Sequence, residues 1–372
     1  MIKRIPVLAA ILLLLLTILC PASDKISAQS QNMIAMSNSV AQIDFPLALH
    51  FSAQFQSNTD ITDIRLRYKV ERLGYAQVIN EAYVNFTPSS TINARYTLDM
   101  RRIGGFPPGA NLHYWWVAED AGGATLETEP VQYQINDTRY KWQSLSQDKI
   151  NIFWYEGSNS FAQALMSTAQ QSLVKLASDT GATPDNIINV YIYANYQDLQ
   201  GSMVYPQEWT GGVAFTQYNI IAIGINTNNL SWGQRAMTHE LTHNVVNQET
   251  YNPYNEIPVW LNEGMAMYSE GDLTPQFSTP LVRAIQTDNL FSVRSISSPF
   301  SAYADKANLA YAQSYSLVDY LIKQHGSDKM LELFNTFKQG SAYDMAFQKV
   351  YGFNMDGLNV QWKSRVTSQY GK

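Results

Sequence analysis

The sequence predicts two domains, an N-terminal all-β sandwich and a C-terminal α+β domain, on three observations. The chain has 372 residues, which is longer than one hydrophobic core usually supports. Apolar and polar side chains alternate up to about residue 135, which is typical of strands with one buried face. Beyond that point a few apolar strands are followed by mostly helical segments, the order expected of an α+β domain.

The composition excludes several classes of protein. Hydrophobic residues make up 45% of the chain and charged residues 15%, which excludes a disordered or coiled-coil protein. The formal net charge is −6, from 25 Lys and Arg against 31 Asp and Glu, so the chain offers no basic field for a nucleic acid backbone. Nucleic acid is therefore excluded as a partner.

The first residues have the layout of a secretory signal peptide. Lys3 and Arg4 precede an apolar run over residues 5–20, and small residues follow where cleavage would occur. That run of 16 residues is short for a membrane span. We therefore predict a signal peptide over 1–28, a secreted or cell-surface location and no membrane span after signal removal. An uncleaved N-terminal anchor is the alternative.

Cys20 is the single cysteine of the chain, and it lies inside the predicted signal. The mature protein would then have no disulfide, no thiolate metal ligand and no cysteine nucleophile. Residues 29–41 are rich in Gln, Ser and Asn, and they are predicted to form a flexible leader.

Residues 42–138 are predicted to form the β-sandwich. Apolar side chains alternate with other residues over 45–55 and again over 64–70, where the intervening residues are Arg and Lys. Turn signals such as the Gly- and Pro-rich segment 104–109 separate these runs. The pattern resembles fibronectin type III or immunoglobulin modules, and the lack of a disulfide favours the fibronectin type. We expect this domain to position the protein or to bind a surface partner, because it carries no polar constellation suited to chemistry.

Residues 139–372 are predicted to form the α+β domain. The expected elements are strands over 150–155 and 187–193, a hairpin of 211–215 with 220–225, and helices over 161–177, 309–323, 329–337 and 358–366. Most of the helices follow the strands, which is the layout of an α+β domain.

The segment from Thr238 to His243 carries the strongest chemical signal. His239 and His243 are four positions apart, so on a helix they lie on one face and can present both imidazoles to one metal ion. Glu240 lies on the same turn, where it can accept a proton from a metal-activated water. This spacing predicts a catalytic metal site.

A catalytic zinc site needs a third protein ligand. Segment 257–266 offers Glu263, because Pro258 can open a helix and Glu263 would lie about one turn into it. The nineteen residues between His243 and Glu263 leave room for a loop and a returning helix.

Two motifs, HELTH at 239–243 and WLNEGMA at 260–266, resemble the gluzincin zinc metallopeptidases. They are most similar to the aminopeptidase N-like members and to the bacterial peptidase MA-like family, and the resemblance covers roughly residue 150 to the C-terminus. It implies a thermolysin-like domain with an active-site HExxH helix. It also implies a Zn²⁺ cofactor, with His239, His243 and Glu263 as its ligands and Glu240 as the general base.

The chain departs from the thermolysin type at one position. Thermolysin-type gluzincins carry an Asp one turn beyond the glutamate ligand, and Met267 stands there in this chain. The group that would orient the ligand histidines is therefore unassigned, with Glu270 as a candidate.

Gluzincins also bind the substrate backbone along an edge strand that precedes the metal-binding helix. Segment 211–215 occupies that place, although a plain hairpin strand is an equally good interpretation. Aminopeptidases of this group need an acidic residue near that strand, and none occurs between 211 and 225, which favours an endopeptidase. Tyr311, or alternatively Tyr315, is the candidate donor to the oxyanion of the reaction.

These residues together predict a secreted zinc metallopeptidase that hydrolyses peptide bonds in a peptide or protein substrate. Two alternatives stay open. One is an extracellular binding or adhesion protein with a catalytically silent peptidase-like domain, and the intact Glu240 argues against it. The other is a metal-dependent hydrolase of non-peptide amides, which would share every ligand.

Overall fold

The computed structural model describes residues 33–206 and 211–370, so the predicted signal peptide at 1–28 lies outside the described residues. The N-terminal part contains strands β1 (Ala35–Asp44), β2 (Ala48–Val70), β3 (Asn80–Tyr83), β4 (Ser89–Asp99), β5 (Asn111–Asp120), β6 (Thr125–Glu127) and β7 (Val131–Gln134). They form one seven-stranded sheet. Among the described residues, no helix is long and apolar enough to cross a membrane.

Strand β2 runs through both layers of this sheet. Its first half pairs with β1 and β4, and its second half pairs with β3 and β5, with irregular register between Gln56 and Asp63. The ring of Phe51 lies 5.0 Å from the ring of Tyr114, which pairs in register with Tyr68. Seventeen residues of straight strand would separate Phe51 from Tyr68 by roughly 55 Å, so β2 must fold back on itself.

The N-terminal domain therefore has two facing layers, as a sandwich does, but they belong to one continuous sheet. Fibronectin and immunoglobulin modules have two separate sheets. The expectation of such a module is corrected here, because β2 crosses from one layer to the other at the irregular segment, where extra residues bend a strand.

The flexible leader predicted at 29–41 is corrected over 35–41, because β1 begins at Ala35, while 29–32 lie outside the described residues. Its backbone pairs with β2 in an antiparallel register from Ala35 to Asp44. The polar composition was misleading because β1 is an edge strand whose side chains are mostly exposed, while its backbone hydrogen bonds hold it in place.

The C-terminal part is an α+β domain with a five-stranded sheet in the order β11-β12-β10-β9-β8. Its strands are β8 (Gln143–Gln147), β9 (Ile150–Trp154), β10 (Ile188–Tyr193), β11 (Gly212–Phe215) and β12 (Ile220–Gly224). Its helices are α1 (Asn159–Thr180), α2 (Tyr196–Gln200), α3 (Leu230–Thr250), α4 (Val259–Ser269), α5 (Pro275–Gln286), α6 (Ala304–His325), α7 (Ser327–Lys338), α8 (Tyr343–Tyr351) and α9 (Met355–Tyr370). The predicted hairpin is present as the antiparallel pair of β11 and β12.

The two faces of this sheet are buried by different parts of the chain. The central strand β10 is apolar or aromatic at five of its six positions, because both of its faces are covered. Val190 and Ile192 of β10 belong to the core formed with the helices, whereas Tyr191 and Tyr193 belong to the core of the N-terminal domain.

The contact between the domains is close. Gly109 has a φ of +86°, and a Cβ added there would lie 2.2 Å from the hydroxyl oxygen of Tyr191. A glycine is therefore required where this turn of the N-terminal domain meets the sheet. The two domains share one hydrophobic core at this face, so they are not independent modules joined by a linker.

Candidate metal centre

Helix α3 carries the first two predicted ligands. Its buried side includes Met237, Leu241 and Val245, which anchor the helix in the core next to the five-stranded sheet. His239 and His243 lie on another side, one helical turn apart, with their ring centroids separated by 4.8 Å. The helix periodicity therefore brings these two imidazoles together as predicted.

Helix α4 supplies the third predicted ligand. Pro258 occupies the N-cap of α4, and Glu263 lies about one turn inside the helix. Gly264 lets α4 approach α6 closely, since a Cβ there would lie 2.4 Å from the carbonyl oxygen of Ser314. Oε2 of Glu263 lies 3.5 Å from Nε2 of His239 and 3.6 Å from Nε2 of His243.

These three groups fit a metal ion. Their ligand atoms all lie within 4.8 Å of one another, and two ligands about 2.0–2.1 Å from one tetrahedral zinc ion would be roughly 3.4 Å apart. Oε2 of Glu263 is buried and has no hydrogen-bond partner, which is costly for a carboxylate unless a cation is bound there. Two imidazoles with one carboxylate form a donor set that suits zinc.

The far side of each imidazole is held by a hydrogen bond. Nδ1 of His239 donates to Oε1 of Glu270 at 2.7 Å, and Nδ1 of His243 donates to Oδ1 of Asn262 at 3.0 Å. Because a carboxylate or amide oxygen only accepts, Nδ1 of each ring carries a proton, and Nε2 of each ring faces Glu263. Arg235 in turn holds the other oxygen of Glu270 at 2.9 Å.

Glu270 thus occupies the orienting position for which it was a candidate, seven residues beyond Glu263. Asn262 was not identified from the sequence. The only sequence signal for it is its place immediately before Glu263, which puts both side chains on the α4 turn that faces α3.

A cavity of about 920 Å³ opens over these residues. Strand β11 forms one wall and passes directly over Glu240, since a Cβ added at Gly212 would lie 2.8 Å from Oε1 of Glu240. Tyr311 of α6 also lines this cavity, with its ring 5.0 Å from that of Phe300. The ring of Tyr315 lies near Tyr268 instead, so Tyr311 is the tyrosine of the predicted pair that lines the cavity.

The sequence of the helical part matches one protein family. The profile of the Peptidase MA superfamily matches residues 168–368, which are 201 of the 372 residues. The chain belongs to the Peptidase MA superfamily. A search of the curated proteins finds no significant match to the sequence.

Several solved structures are similar to this Peptidase MA protein over most of its length. An M1 zinc metallopeptidase from Deinococcus radiodurans is 12% identical, with a TM-score of 0.37 over 89% of this chain and 92% of that chain. Aminopeptidase A from Legionella pneumophila, solved with aspartic acid, is 12% identical, with a TM-score of 0.39 over 89% of this chain and 50% of that chain. TM-scores this low do not establish a shared fold, so the family assignment rests on the sequence match.

The imidazoles and carboxylates of this Peptidase MA protein stabilise one another's charged forms. Burial would lower the pKa of His239, but the carboxylates of Glu263 and Glu270 outweigh it and raise that pKa to about 10. Burial would raise the pKa of Glu263, but the charges of His243 and His239 hold it below its usual value. Burial raises the pKa of Glu240, which suits a group that exchanges protons near neutrality.

Proposed function

We propose that this protein is an exported, zinc-dependent endopeptidase. The observation that carries the proposal is the convergence of His239, His243 and Glu263 on one point, with a buried oxygen of Glu263 left without a partner. Membership of the Peptidase MA superfamily supports the reaction class. The basic and apolar N-terminal segment supports export.

Zinc would be held by Nε2 of His239, Nε2 of His243 and Oε2 of Glu263. Bound there, zinc supplies a Lewis acid and lowers the pKa of a water toward roughly 7. Glu270 and Asn262 keep the two imidazoles in the tautomer that presents Nε2, so the ligands are oriented before the metal arrives.

Glu240 is the proposed general base. Its carboxylate lies under Gly212 at the cavity wall, on the same helical turn as the ligand histidines, so it can take a proton from the attacking water. The same carboxyl group then delivers that proton to the leaving amine. The Tyr311 hydroxyl, which lines the same cavity, is the proposed donor to the oxyanion that forms on the substrate carbonyl.

Strand β11 is the proposed site for the substrate backbone. Among the described residues it is the last strand of its sheet and pairs with β12 along one edge, and we propose that its other edge accepts an extended peptide. The carboxylates that line the cavity from the described residues are Glu240, Glu263 and Glu270. Each of these already has a proposed role, which leaves none of them for a substrate amine and favours an internal peptide bond.

Metal content and cleavage test the proposal together. The purified protein should hold about one zinc per chain, and it should cleave a peptide library with blocked termini better than aminoacyl substrates with a free amine. The substitution Glu240→Gln should lower kcat by roughly 10³-fold with zinc content unchanged, because only the proton carrier is lost. Full activity of this variant would refute the role of Glu240.

Export has its own test. The full-length protein should appear outside the cytoplasm with a new N-terminus near residue 29, and deletion of 1–28 should retain it in the cytoplasm. Retention of an intact N-terminus on exported protein would support the anchor instead.

A further inference from the structure

We infer that the N-terminal domain is a working part of the proposed substrate site, because its segment Arg72–Tyr75 holds the β11–β12 hairpin against helix α3. The expected effect on substrate binding rests on the proposed function. The support of the hairpin by this segment can be tested without measuring activity. It assigns positioning residues to a domain in which the sequence shows no chemistry.

The hairpin needs support from outside its own sheet. Strand β11 is four residues long, and β12 is its sole partner in the sheet order of the described residues. A short strand at a sheet edge opens easily unless side chains or neighbouring segments hold it. Any substrate that pairs with the free edge of β11 therefore depends on how firmly this hairpin is held.

The two faces of β11 are held by different cores. Ala214 packs against the helical core, whereas Val213 and Phe215 pack against the core that the N-terminal domain shares with the sheet. One face of the strand that forms the cavity wall therefore packs into the core that the two domains share.

The turn that connects β11 to β12 is held directly by the N-terminal domain. The backbone N–H of Leu73 donates to the carbonyl oxygen of Gln217 at 2.7 Å. Burial raises the pKa of the Tyr218 hydroxyl, and the nearby guanidinium of Arg72 opposes that rise. These contacts fix the position at which the chain leaves the proposed binding edge.

The same segment also holds the end of the helix that carries the metal ligands. The rings of Tyr75 and Tyr251 are stacked with their centroids 5.3 Å apart. The Tyr75 hydroxyl donates to the carbonyl oxygen of Tyr251 at 3.0 Å, and the Tyr251 hydroxyl donates to the carbonyl oxygen of Leu73 at 3.2 Å. Since Tyr251 is the C-cap of α3, Arg72–Tyr75 connects the hairpin turn to the ligand helix.

A direct link also exists, because Gln248 of α3 donates to the side chain of Asn219 in the turn at 2.8 Å. The N-terminal segment therefore adds to an existing connection, and its loss should loosen the hairpin without unfolding the protein. Tyr75 is 62% exposed, so removal of its ring leaves no cavity in the core.

The test uses residues 29–372 with both domains present, because the isolated C-terminal domain would expose Tyr191 and Tyr193. Hydrogen exchange is measured at residues 212–224 in Leu73→Pro, which removes the donor to Gln217, and in Tyr75→Ala. The matched control is Tyr83→Ala, an equally exposed tyrosine of the same domain at 66%. We expect exchange at 212–224 to be about tenfold faster in the first two variants and unchanged in the control.

In the active enzyme, the same two variants should raise KM several-fold with a smaller change in kcat and with zinc content unchanged. The variant Tyr75→Phe, which keeps the ring and loses the hydroxyl, should lie between Tyr75→Ala and the parent. Equal exchange in Leu73→Pro, Tyr75→Ala and Tyr83→Ala would overturn the inference. Faster exchange with an unchanged KM would overturn the expected effect of the segment on substrate binding. A protein without peptidase activity would refute the proposed function, and the exchange data would still decide whether Arg72–Tyr75 holds the hairpin.

Discussion

Two carboxylates at different places in the molecule have opposite surroundings. Asp137, at the junction of the domains, is fully buried, and its oxygens accept hydrogen bonds from Arg139 at 2.6 and 2.8 Å and from Tyr193 at 2.9 Å. Glu263, in the candidate metal centre, has a buried oxygen without any hydrogen-bond partner, and two imidazole nitrogens lie 3.5 and 3.6 Å from it.

The difference separates a carboxylate that the protein itself neutralises from one that we propose to be a metal ligand. A buried carboxylate is tolerated when the protein itself supplies donors, and Asp137 has a guanidinium and a phenol. Oε2 of Glu263 has no donor within hydrogen-bond distance, and the two imidazoles that face it could bind one metal ion together with it. Removing Asp137 should therefore affect the fold, whereas removing Glu263 should affect metal binding.

The largest effect is expected for Glu263→Ala. Loss of one of three protein ligands should weaken zinc binding by roughly 10³-fold, or about 4 kcal/mol, measured by competition with a chelating dye. Glu256→Ala, which removes an exposed carboxylate before α4, is the control, and equal zinc affinity in both variants would contradict the ligand assignment.

A smaller effect, of the opposite kind, is expected for Asp137→Ala. Arg139 and Tyr193 lose their acceptor, so the free energy of unfolding should fall by about 2–3 kcal/mol, toward the low end for a buried pair because Arg139 is 34% exposed. Zinc affinity of the folded variant should not change.

The chain contains a matched control for this experiment. Asp99 and Arg101 are spaced as Asp137 and Arg139 are, with Arg101 Nε and Nη2 at 2.8 and 2.9 Å from the carboxylate, but Arg101 is 60% exposed. Asp99→Ala should therefore change stability far less in the same urea titration. Equal losses in the two variants would show that burial does not distinguish the pairs.

The grouping of His239, His243 and Glu263 could be predicted from the sequence because it depends mostly on local structure. The spacing of His239 and His243 fixes their shared face through helix periodicity alone, and Pro258 sets the helix that carries Glu263. The contact of Asn262 with His243 depends on how α4 packs on α3, so no local pattern reveals it.

The N-terminal domain was predicted less well because its structure depends on distant pairings. Alternation identifies strands, but it does not show that β2 folds back until Phe51 meets Tyr114. The polar edge strand β1 depends on its backbone pairing with β2 rather than on its own side chains. The apolar sequence of β10 does not distinguish a domain interface from the core of one domain. Tyr191 and Tyr193 lie at the interface because they pack against the N-terminal sheet.

The smallest effect that separates the two carboxylates is a dependence on pH. His239, between Glu263 and Glu270, has its pKa raised to about 10, so it holds a second proton at pH 7 to 8 in the metal-free protein. That proton occupies Nε2 and competes with zinc, so affinity should rise with pH below 10, by up to tenfold, or about 1.4 kcal/mol, per pH unit. Zinc affinity rises with pH in this range because the pKa of His239 is raised. A histidine of ordinary pKa would already be neutral at pH 8, and its affinity for zinc would no longer depend on pH.

Calorimetric titration of zinc at pH 8, in two buffers with different ionisation enthalpies, measures the protons released. Release from His239 should be largely lost in Glu270→Gln, because the variant lacks the carboxylate that helps to hold the imidazolium, whereas any proton from a zinc-activated water should remain. Asp137→Ala should release as many protons as the parent, since the pair of Asp137 and Arg139 does not face the metal centre. Equal release from Glu270→Gln and the parent would show that Glu270 orients His239 without changing its charge.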